Sequence, residues 1–485
     1  MADDFETRKL EGSNEYIKCI KCKSRIHINS LNLCTRCFAL EQTPLIVNSG
    51  NKNIDDFIKK SHSPKYGSLN NPLLEWVPYE KFTNVEYIGK GGFSEIYKAT
   101  WEKFSVALRY SGIYKYKTEV VLKVLNDSQN VDNEFIKELK YTCQMKGSTT
   151  IQCYGVTQIP KTKNYAFILE YAQGGDLHHF LNKNFVTIKW GRKIVILKNM
   201  VKGIKKIHNK KILHRDLHSG NILIKDNWKD AIISDLGFSQ PATIKSDLSR
   251  KSQIYGIIPY MAPELFKGQT HSYSSDIYSL GMIIWQLTSG HRPFHDQEHG
   301  PKLILDILDG KRPEITEDTP ECWANLMKGC WHSDPSQRLS LNEIDELSEK
   351  FYNCRQYSER HVKKCYRDMW SKFNEAEKKR LEMVESKKPF VKNPGYEHPN
   401  SRYYSISLNS MLESINSTIT DIYSNDNLFS NDHFDINFNQ INDLENSDGN
   451  SSVENSRKHF LDESPPPHEE IIEDQNDYKR RKIVD

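Results

Sequence analysis

The stretch His214-Arg215-Asp216-Leu217-His218-Ser219-Gly220-Asn221 narrows most what this chain can fold into and do. It sets an acid and an amide five residues apart on a loop that apolar residues enter and leave, Ile212-Leu213 before it and Ile222-Leu223-Ile224 after it. That arrangement suits phosphoryl transfer. The chemistry needs one carboxylate to accept a hydroxyl proton and one side chain beside it to hold a metal.

Four other segments carry chemistry of the same kind. Between Val85 and Tyr97, Gly89, Gly91 and Gly92 lie between two β-type runs, among Ile88, Lys90, Phe93, Ser94 and Ile96. Glycines let a backbone approach phosphate oxygens and offer N–H donors with no side chain in the way. Many hairpins carry glycines, so this signal alone is weak. A dinucleotide site would need a helix directly afterwards, whereas Glu95-Ile96-Tyr97 continues as strand. Lys123 sits inside the apolar run Glu119 to Leu125, a costly place for an unpaired charge. An edge lysine reaching solvent is the plain alternative; Glu138, on a helix pattern fifteen residues later, would pair it. Phe167 to Ala172 reads as a strand running into a turn at Gly174-Gly175-Asp176-Leu177. Asp235 follows the second apolar strand, Ile232-Ile233, nineteen residues beyond Asp216. Each acid alone reads as a turn or cap residue; the ordered set is specific because the roles need all its members.

In this order the segments resemble the protein kinases over about residues 82–353, through Gly89-x-Gly91, Lys123, Glu138, His214-Arg215-Asp216, Asn221, Asp235-Leu236-Gly237, Ala262-Pro263-Glu264, Asp276 and Arg338. Cys330-Trp331, followed by Pro335 and Arg338, is similar to the tyrosine-kinase-like group. The cysteine pairs, EWVPY, HRDLHSGN, DLG and PYMAPEL together resemble the expanded kinase paralogues of arbuscular mycorrhizal fungi. The resemblance implies an α+β, bilobal fold with a small, mostly antiparallel β lobe and a larger helical lobe. It also implies an ATP- and Mg²⁺-dependent enzyme that phosphorylates protein hydroxyls in intracellular signalling. In that family's terms Asp216 accepts the hydroxyl proton, Lys123, held by Glu138, binds the α- and β-phosphates, and Asn221 and Asp235 hold Mg²⁺. Ile88, Gly89, Lys90, Gly91, Gly92, Phe93 and Ser94 would cover the nucleotide. Ile96, Val121 and Leu223 would sandwich adenine, with Leu169 behind it. The backbones of Glu170 and Ala172 would bond its edge, and Asp176 would meet the ribose. Glu264 and Arg338 would form a buried ion pair, and Asp276 would brace the catalytic loop.

Several positions depart from the family. Ser94 stands where a third glycine is usual, Val121 where alanine is usual, and Leu236 where phenylalanine is usual. Ser/Thr kinases usually carry lysine where this chain has His218 and threonine where it has Ile257. Those two family residues contact each other, so the paired change reads as a coordinated variant. Ser/Thr specificity is expected, with tyrosine or dual specificity as the alternative. A pseudokinase or adaptor scaffold is the competing class. His218 reads either as a pH-sensitive phosphate contact or as a neutral hydrogen-bonding imidazole. Arg215 beside Asp216 points to control by phosphorylation of the following loop, at Thr243, Ser246, Ser249, Ser252 or Tyr255.

The remaining chain divides by composition. Residues 1–45 hold Cys19-x2-Cys22 and Cys34-x2-Cys37, a spacing that suits a four-thiolate structural Zn²⁺ site in a small zinc ribbon; scattered reduced thiols are the alternative. Residues 46–81 read as a linker, 82–353 as the kinase domain, and 354–392 as a charged helical extension with an apolar stripe through Met369, Trp370 and Phe373. From 393 to 485 the chain is rich in Asn, Ser and Asp without sustained apolar period, and reads as a disordered tail. Hydrophobic residues make up only 37% of the 485, consistent with unpacked segments. A near balance of 67 basic and 64 acidic residues argues against nucleic acid as a partner. Protein substrates are expected, with further protein partners for the N-terminal module and the tail. No run reaches membrane-span length and the start is acidic and polar, so a cytoplasmic protein is expected. Lys479-Arg480-Arg481-Lys482 reads as a minimal nuclear-import patch or as a solvated basic end.

Overall fold

The computed structural model describes residues 20–21, 48–62, 74–107, 112–129, 133–145, 148–225, 230–242, 254–355 and 364–415. All lie in one unit, Met1–Phe438. Alternation of apolar and polar side chains builds the first lobe as a six-stranded sheet. Its strands are β1 (Glu75–Trp76), β2 (Phe82–Lys90), β3 (Ser94–Ala107), β4 (Gly112–Leu125), β5 (Cys153–Gln158) and β6 (Tyr165–Glu170). They lie in the order β1-β5-β6-β4-β3-β2, antiparallel except where β1 runs parallel to β5. That parallel contact depends on Gly155, where a Cβ would lie 1.9 Å from the Glu75 carbonyl oxygen. Val120, Leu122 and Val124 pack on one face of β4 with Ala166 and Ile168. Period-2 alternation therefore turns Lys123 to the other face.

The stretch read as a linker, 46–81, contributes strand β1 and a packed helix. Helix α1 (Lys52–Ser61) starts at Asn51, whose side chain accepts from the Asn53 and Ile54 N–H groups. Ile54 and Ile58, one turn apart, are fully buried against Phe135, Leu139, Tyr165 and Phe167. Each such burial is worth roughly 1.5–3 kcal/mol, enough to hold a short capped helix on the sheet. Helix α2 (Asn133–Gln144) lies in the same cluster and carries Glu138.

The second lobe is helical. Its elements are α3 (Leu177–Asn184), α4 (Trp190–Asn209), α5 (Pro263–Phe266), α6 (Tyr273–Ser289), α7 (Pro301–Leu308), α8 (Glu321–Cys330), α9 (Leu341–Arg355) and α10 (Arg367–Glu385). Buried all round from Ile277 to Leu287, α6 runs through the middle of the core. A Ser272–Ser275 capping box starts it and left-handed Gly290 ends it. Short strands frame the loops between the lobes: β7 (Ile212–Leu213), β8 (Ile222–Ile224), β9 (Ala231–Ile233), β10 (Gln240–Pro241), β11 (Tyr255–Gly256) and β12 (Ile406–Ser407).

The charged extension docks on this lobe. Phe373 of α10 is fully buried among Trp190, Trp323 and Phe351, with ring centroids 5.9, 6.4 and 5.3 Å away. Glu377 caps α4, accepting from the Trp190 N–H at 2.8 Å. The expected disordered tail is corrected for residues 393–415. Leu408, Leu412 and Ile415 are buried in the helical-lobe core, and the chain between them and α10 follows the lobe surface. Leu408, Met411, Leu412 and Ile415 fall on one helical face, a short stripe obscured by the surrounding Asn and Ser. Residues 1–19 and 22–47, with the four paired cysteines, and residues 416–485 lie outside the described residues.

Lys193 of α4 is fully buried, its Nζ 4.5 Å from the Trp190 ring centre and 3.4 Å from the Thr288 carbonyl oxygen. Burial pulls its ammonium down to about 8, against the attraction of Asp318. The unfolded chain keeps that proton up to the ordinary lysine value of 10.5. Stability should therefore rise as pH climbs through this window, by at most about 3 kcal/mol at roughly 1.4 kcal/mol per unit. Urea unfolding at pH 7.5 and pH 9.5 should show the gain, and Lys193→Met should remove it.

Candidate active site

The site begins with charges that the two lobes share. Lys123 Nζ donates to Glu138 Oε1 and to Asp235 Oδ1, each at 2.8 Å. Burial alone would lower the lysine; the carboxylates of Asp235 and Glu138 more than offset this and hold it above its ordinary value. Burial likewise pushes Asp235 up, and Lys123 holds it below the usual carboxylate range. Asp235 sits in the left-handed region at φ 55, and its Oδ1 also accepts from the Gly237 N–H at 3.1 Å. A Cβ on Gly237 would lie 3.1 Å from Glu138 Oε2 and 3.2 Å from Asp235 Oδ1, so glycine lets both acids reach the one lysine.

A second buried carboxylate shapes the loop after β7. Asp276, on α6, accepts from the His214 N–H, the Arg215 N–H and His208 Nε2, each at 2.9 Å. Burial pushes this carboxyl up, but the His208 bond and its neighbours hold it below the ordinary value. His214 is buried and donates from Nε2 to the Ser234 carbonyl oxygen at 3.0 Å. Its Nδ1 accepts from the Asp216 N–H at 3.3 Å. One donor and one acceptor define a neutral ring, and burial lowers its pKa in agreement. Asn221 Nδ2 donates to the Asp216 carbonyl oxygen at 2.8 Å, closing the loop that holds both residues.

His218 also settles into one tautomer. Its Nδ1 accepts from the Gly220 N–H at 3.1 Å, which leaves the proton on Nε2, 3.6 Å from Asp216 Oδ2. Ile257 is buried in the helical core and offers no polar group. The Asp216 carboxylate accepts from the hydroxyl of Ser405, at 2.8 Å for Oδ1 and 3.0 Å for Oδ2. Sequence reasoning found neither Ser405 nor His208. His208 carried no distinctive signal, one polar side chain among several in the last turns of an amphipathic helix.

The residues expected around a nucleotide line the sheet and the crossing between the lobes. Ile88, Gly89 and Lys90 end β2, Gly91, Gly92 and Phe93 form the turn, and Ser94 and Ile96 begin β3. The Gly91 N–H donates to the Ser94 carbonyl oxygen at 2.7 Å. Ile96 pairs with Lys123, and Val121 pairs with Leu169. Glu170 forms an ion pair with Lys225 at 2.7 Å, and the Ala172 carbonyl accepts from the Gly175 N–H. Asp176 bridges Leu223 and caps α3, accepting from the His179 N–H at 3.0 Å. Phe93 at the turn tip meets Phe238 and Tyr255 edge-on, at 5.6 and 5.7 Å, so an aromatic trio holds the turn over the loop below.

Two metal-binding expectations separate here. Asn221 spends Nδ2 on the Asp216 carbonyl and keeps Oδ1; Asp235 spends Oδ1 on Lys123 and keeps Oδ2. Two such oxygens, completed by phosphate oxygens, suit a hard cation such as Mg²⁺. Among the described residues no three His, Cys, Asp or Glu side chains form a protein-only cage. Cys19, Cys22, Cys34 and Cys37 lie outside those residues, as do Thr243, Ser246, Ser249 and Ser252.

Residues 82–347 match the family described as protein tyrosine and serine/threonine kinase. The chain belongs to the protein kinase family. ATP, Mg²⁺ and protein substrates are what that family implies. A probable serine/threonine-protein kinase of Dictyostelium discoideum is 32% identical over 315 residues, 62% of this chain and 13% of that protein. The dual specificity protein kinase splA of the same organism is 28% identical over 284 residues, 54% of this chain and 11% of that protein. Its stress-activated protein kinase alpha is 28% identical over 272 residues, 54% of this chain and 40% of that protein. The chain thus spans well under half the length of each of these relatives. Among the described residues no helix of this kinase is long and apolar enough to cross a membrane.

The kinase also forms the expected Glu264–Arg338 pair. Two parallel bonds of 2.7 and 2.6 Å join them, and Arg338 reaches the Ser274 carbonyl as well. Arg338→Leu strands a buried carboxylate and should cost about 3–5 kcal/mol in urea unfolding. Adding Glu264→Gln should recover part of that loss, because the stranded group is then neutral.

Proposed function

We propose that this kinase transfers the γ-phosphoryl group of ATP to serine and threonine hydroxyls of proteins. The observation that carries this reading is the pairing of Lys123 with both Glu138 and Asp235 above a loop that leaves the Asp216 carboxylate to a hydroxyl donor. In the reaction Asp216 orients the attacking hydroxyl and takes its proton. Lys123 steadies the α- and β-phosphates, and the glycine-rich turn offers backbone N–H groups to them. Asn221 and Asp235 would hold Mg²⁺, which supplies neutralisation of phosphate charge when bound. Ile96, Val121, Leu169 and Leu223 form the adenine slot, Glu170 and Ala172 bond its edge, and Asp176 sits at the ribose. His218, with Nε2 3.6 Å from Asp216 Oδ2 and Nδ1 accepting from the Gly220 N–H, stands in for the usual lysine.

Two relatives are named dual specificity kinases, so tyrosine transfer is the second reading. Tyrosine-kinase-like placement and kinship with the fungal paralogues rest on Cys330-Trp331, Pro335, Arg338 and the N-terminal motifs. Intracellular residence likewise rests on the sequence. Asp216→Asn should lower kcat on a serine peptide about 10²–10⁴-fold while nucleotide affinity stays within about threefold. Transfer to tyrosine peptides alone would overturn the Ser/Thr reading. The zinc proposal rests on cysteine spacing, and the full chain should bind about one equivalent of zinc, lost in Cys22→Ser/Cys34→Ser.

A further inference from the structure

We infer that Ser405 is an intramolecular phosphoacceptor, and that the segment carrying it, residues 393–415, is a strap that occupies the protein-substrate groove until Ser405 is phosphorylated. The inference rests on the kinase reading above and names a substrate and a control for the same site.

Three observations carry it. The first is the hydroxyl itself. Ser405 Oγ lies 2.8 and 3.0 Å from the two carboxylate oxygens of Asp216, across 189 residues of sequence. That is hydrogen-bond reach of the proton to be abstracted, the geometric requirement for a general base. Tyr404 beside it is 55% exposed, so the groove presents the short hydroxyl to the acid. The second is the backbone on the C-terminal side. β12 pairs antiparallel with β11, Gly256 opposite Ile406 and Tyr255 opposite Ser407. The Leu408 N–H continues to the Ile254 carbonyl at 2.8 Å, and Asn409 Oδ1 accepts from the Ile254 N–H at 2.9 Å. An extended peptide added to a strand edge is a general mode of peptide recognition. The glycine-rich turn closes from above: a Cβ on Gly92 would lie 3.4 Å from the Ser405 carbonyl oxygen. The third is anchoring on both sides. Upstream, Arg292 stacks on Tyr403 at 3.8 Å and pairs with Glu397, and the Arg402 N–H donates to His299 Nδ1 at 3.0 Å. Downstream, Leu408, Leu412 and Ile415 are buried.

The chemistry balances with the family's own co-substrate. Ser405 Oγ forms a bond to the γ-phosphorus of ATP, the bond from that phosphorus to the β,γ-bridging oxygen breaks, and ADP leaves. The Oγ proton passes to Asp216 and then to solvent. The product carries about −1.5 to −2 charge at neutral pH, pressed against the carboxylate of Asp216. Like-charge repulsion in a half-buried site expels the strap and opens the groove to other proteins.

The test uses the full chain, first stripped of phosphate by a phosphatase. With Mg²⁺-ATP, mass spectrometry should find phosphate on Ser405, formed with a rate constant that does not change over a hundredfold range of enzyme concentration. Transfer to a serine peptide should show a lag that pre-incubation with ATP removes. Ser405→Ala should stay strapped, with an apparent KM for the peptide raised about tenfold, since a tethered competitor acts at roughly millimolar effective concentration. Adding Ile406→Pro, which cannot donate to the β11 ladder, should restore peptide transfer and so exclude misfolding as the cause. An enzyme active on the peptide with no phosphate on Ser405 overturns the inference and leaves the kinase reading standing. So does a rate that scales with enzyme concentration. Transfer to neither Ser405 nor any peptide overturns both.

Discussion

Lys123 holds Glu138 from α2 and Asp235 from the loop after β9 at the same 2.8 Å. Its three elements come from the sheet, the lobe's helix and the boundary with the second lobe. Removing one member of such a buried set leaves charge unmatched, at about 3–5 kcal/mol, a large share of a domain's net stability. The sheet, α2 and the Asp235 turn are therefore stable together and poorly stable apart. One cation thus ties the sheet and its helix to the boundary with the second lobe.

The floor of the site obeys the same logic with a different donor set. Asp276 collects two backbone N–H groups and one imidazole from the loop and from α4. Hydrogen bonds to charged groups contribute roughly 1.5–3 kcal/mol each. Three of them outweigh the backbone strain of Arg215, at φ 72, which costs about 1–3 kcal/mol. The loop can hold an unfavourable conformation that presents Asp216 because a buried acid below it accepts from two of its N–H groups as well as from His208.

Much of this was legible before any coordinates. Lys123 inside an apolar run demanded an acid, and Glu138 lay at a spacing that a strand and a following helix can close. The pairing of Glu264 with Arg338 and the brace from Asp276 were implied by the resemblance to the protein kinases. Charged side chains in apolar surroundings have few ways to be satisfied. The segments that misled did so through composition. Asn51 to Ser61 looked like linker because its helix buries only two isoleucines deeply. Residues 393–415 looked disordered because Asn, Ser and Tyr surround a stripe of four apolar residues. In both cases stability comes from contacts with a lobe built elsewhere in the chain, and local periodicity carries little trace of them.

By itself the sequence determined the protein kinase family, through an acid, an amide and a lysine in a set order. Such an order is legible in residue type and in short-range spacing on strands and loops. Only the tertiary structure decided what reaches the acid. The contact between Ser405 and Asp216 joins residues 189 apart, held by backbone pairing between β11 and β12 and by three apolar anchors. Backbone hydrogen bonds are nearly indifferent to side-chain identity. No local pattern could therefore announce which serine among many would be laid on the Asp216 carboxylate.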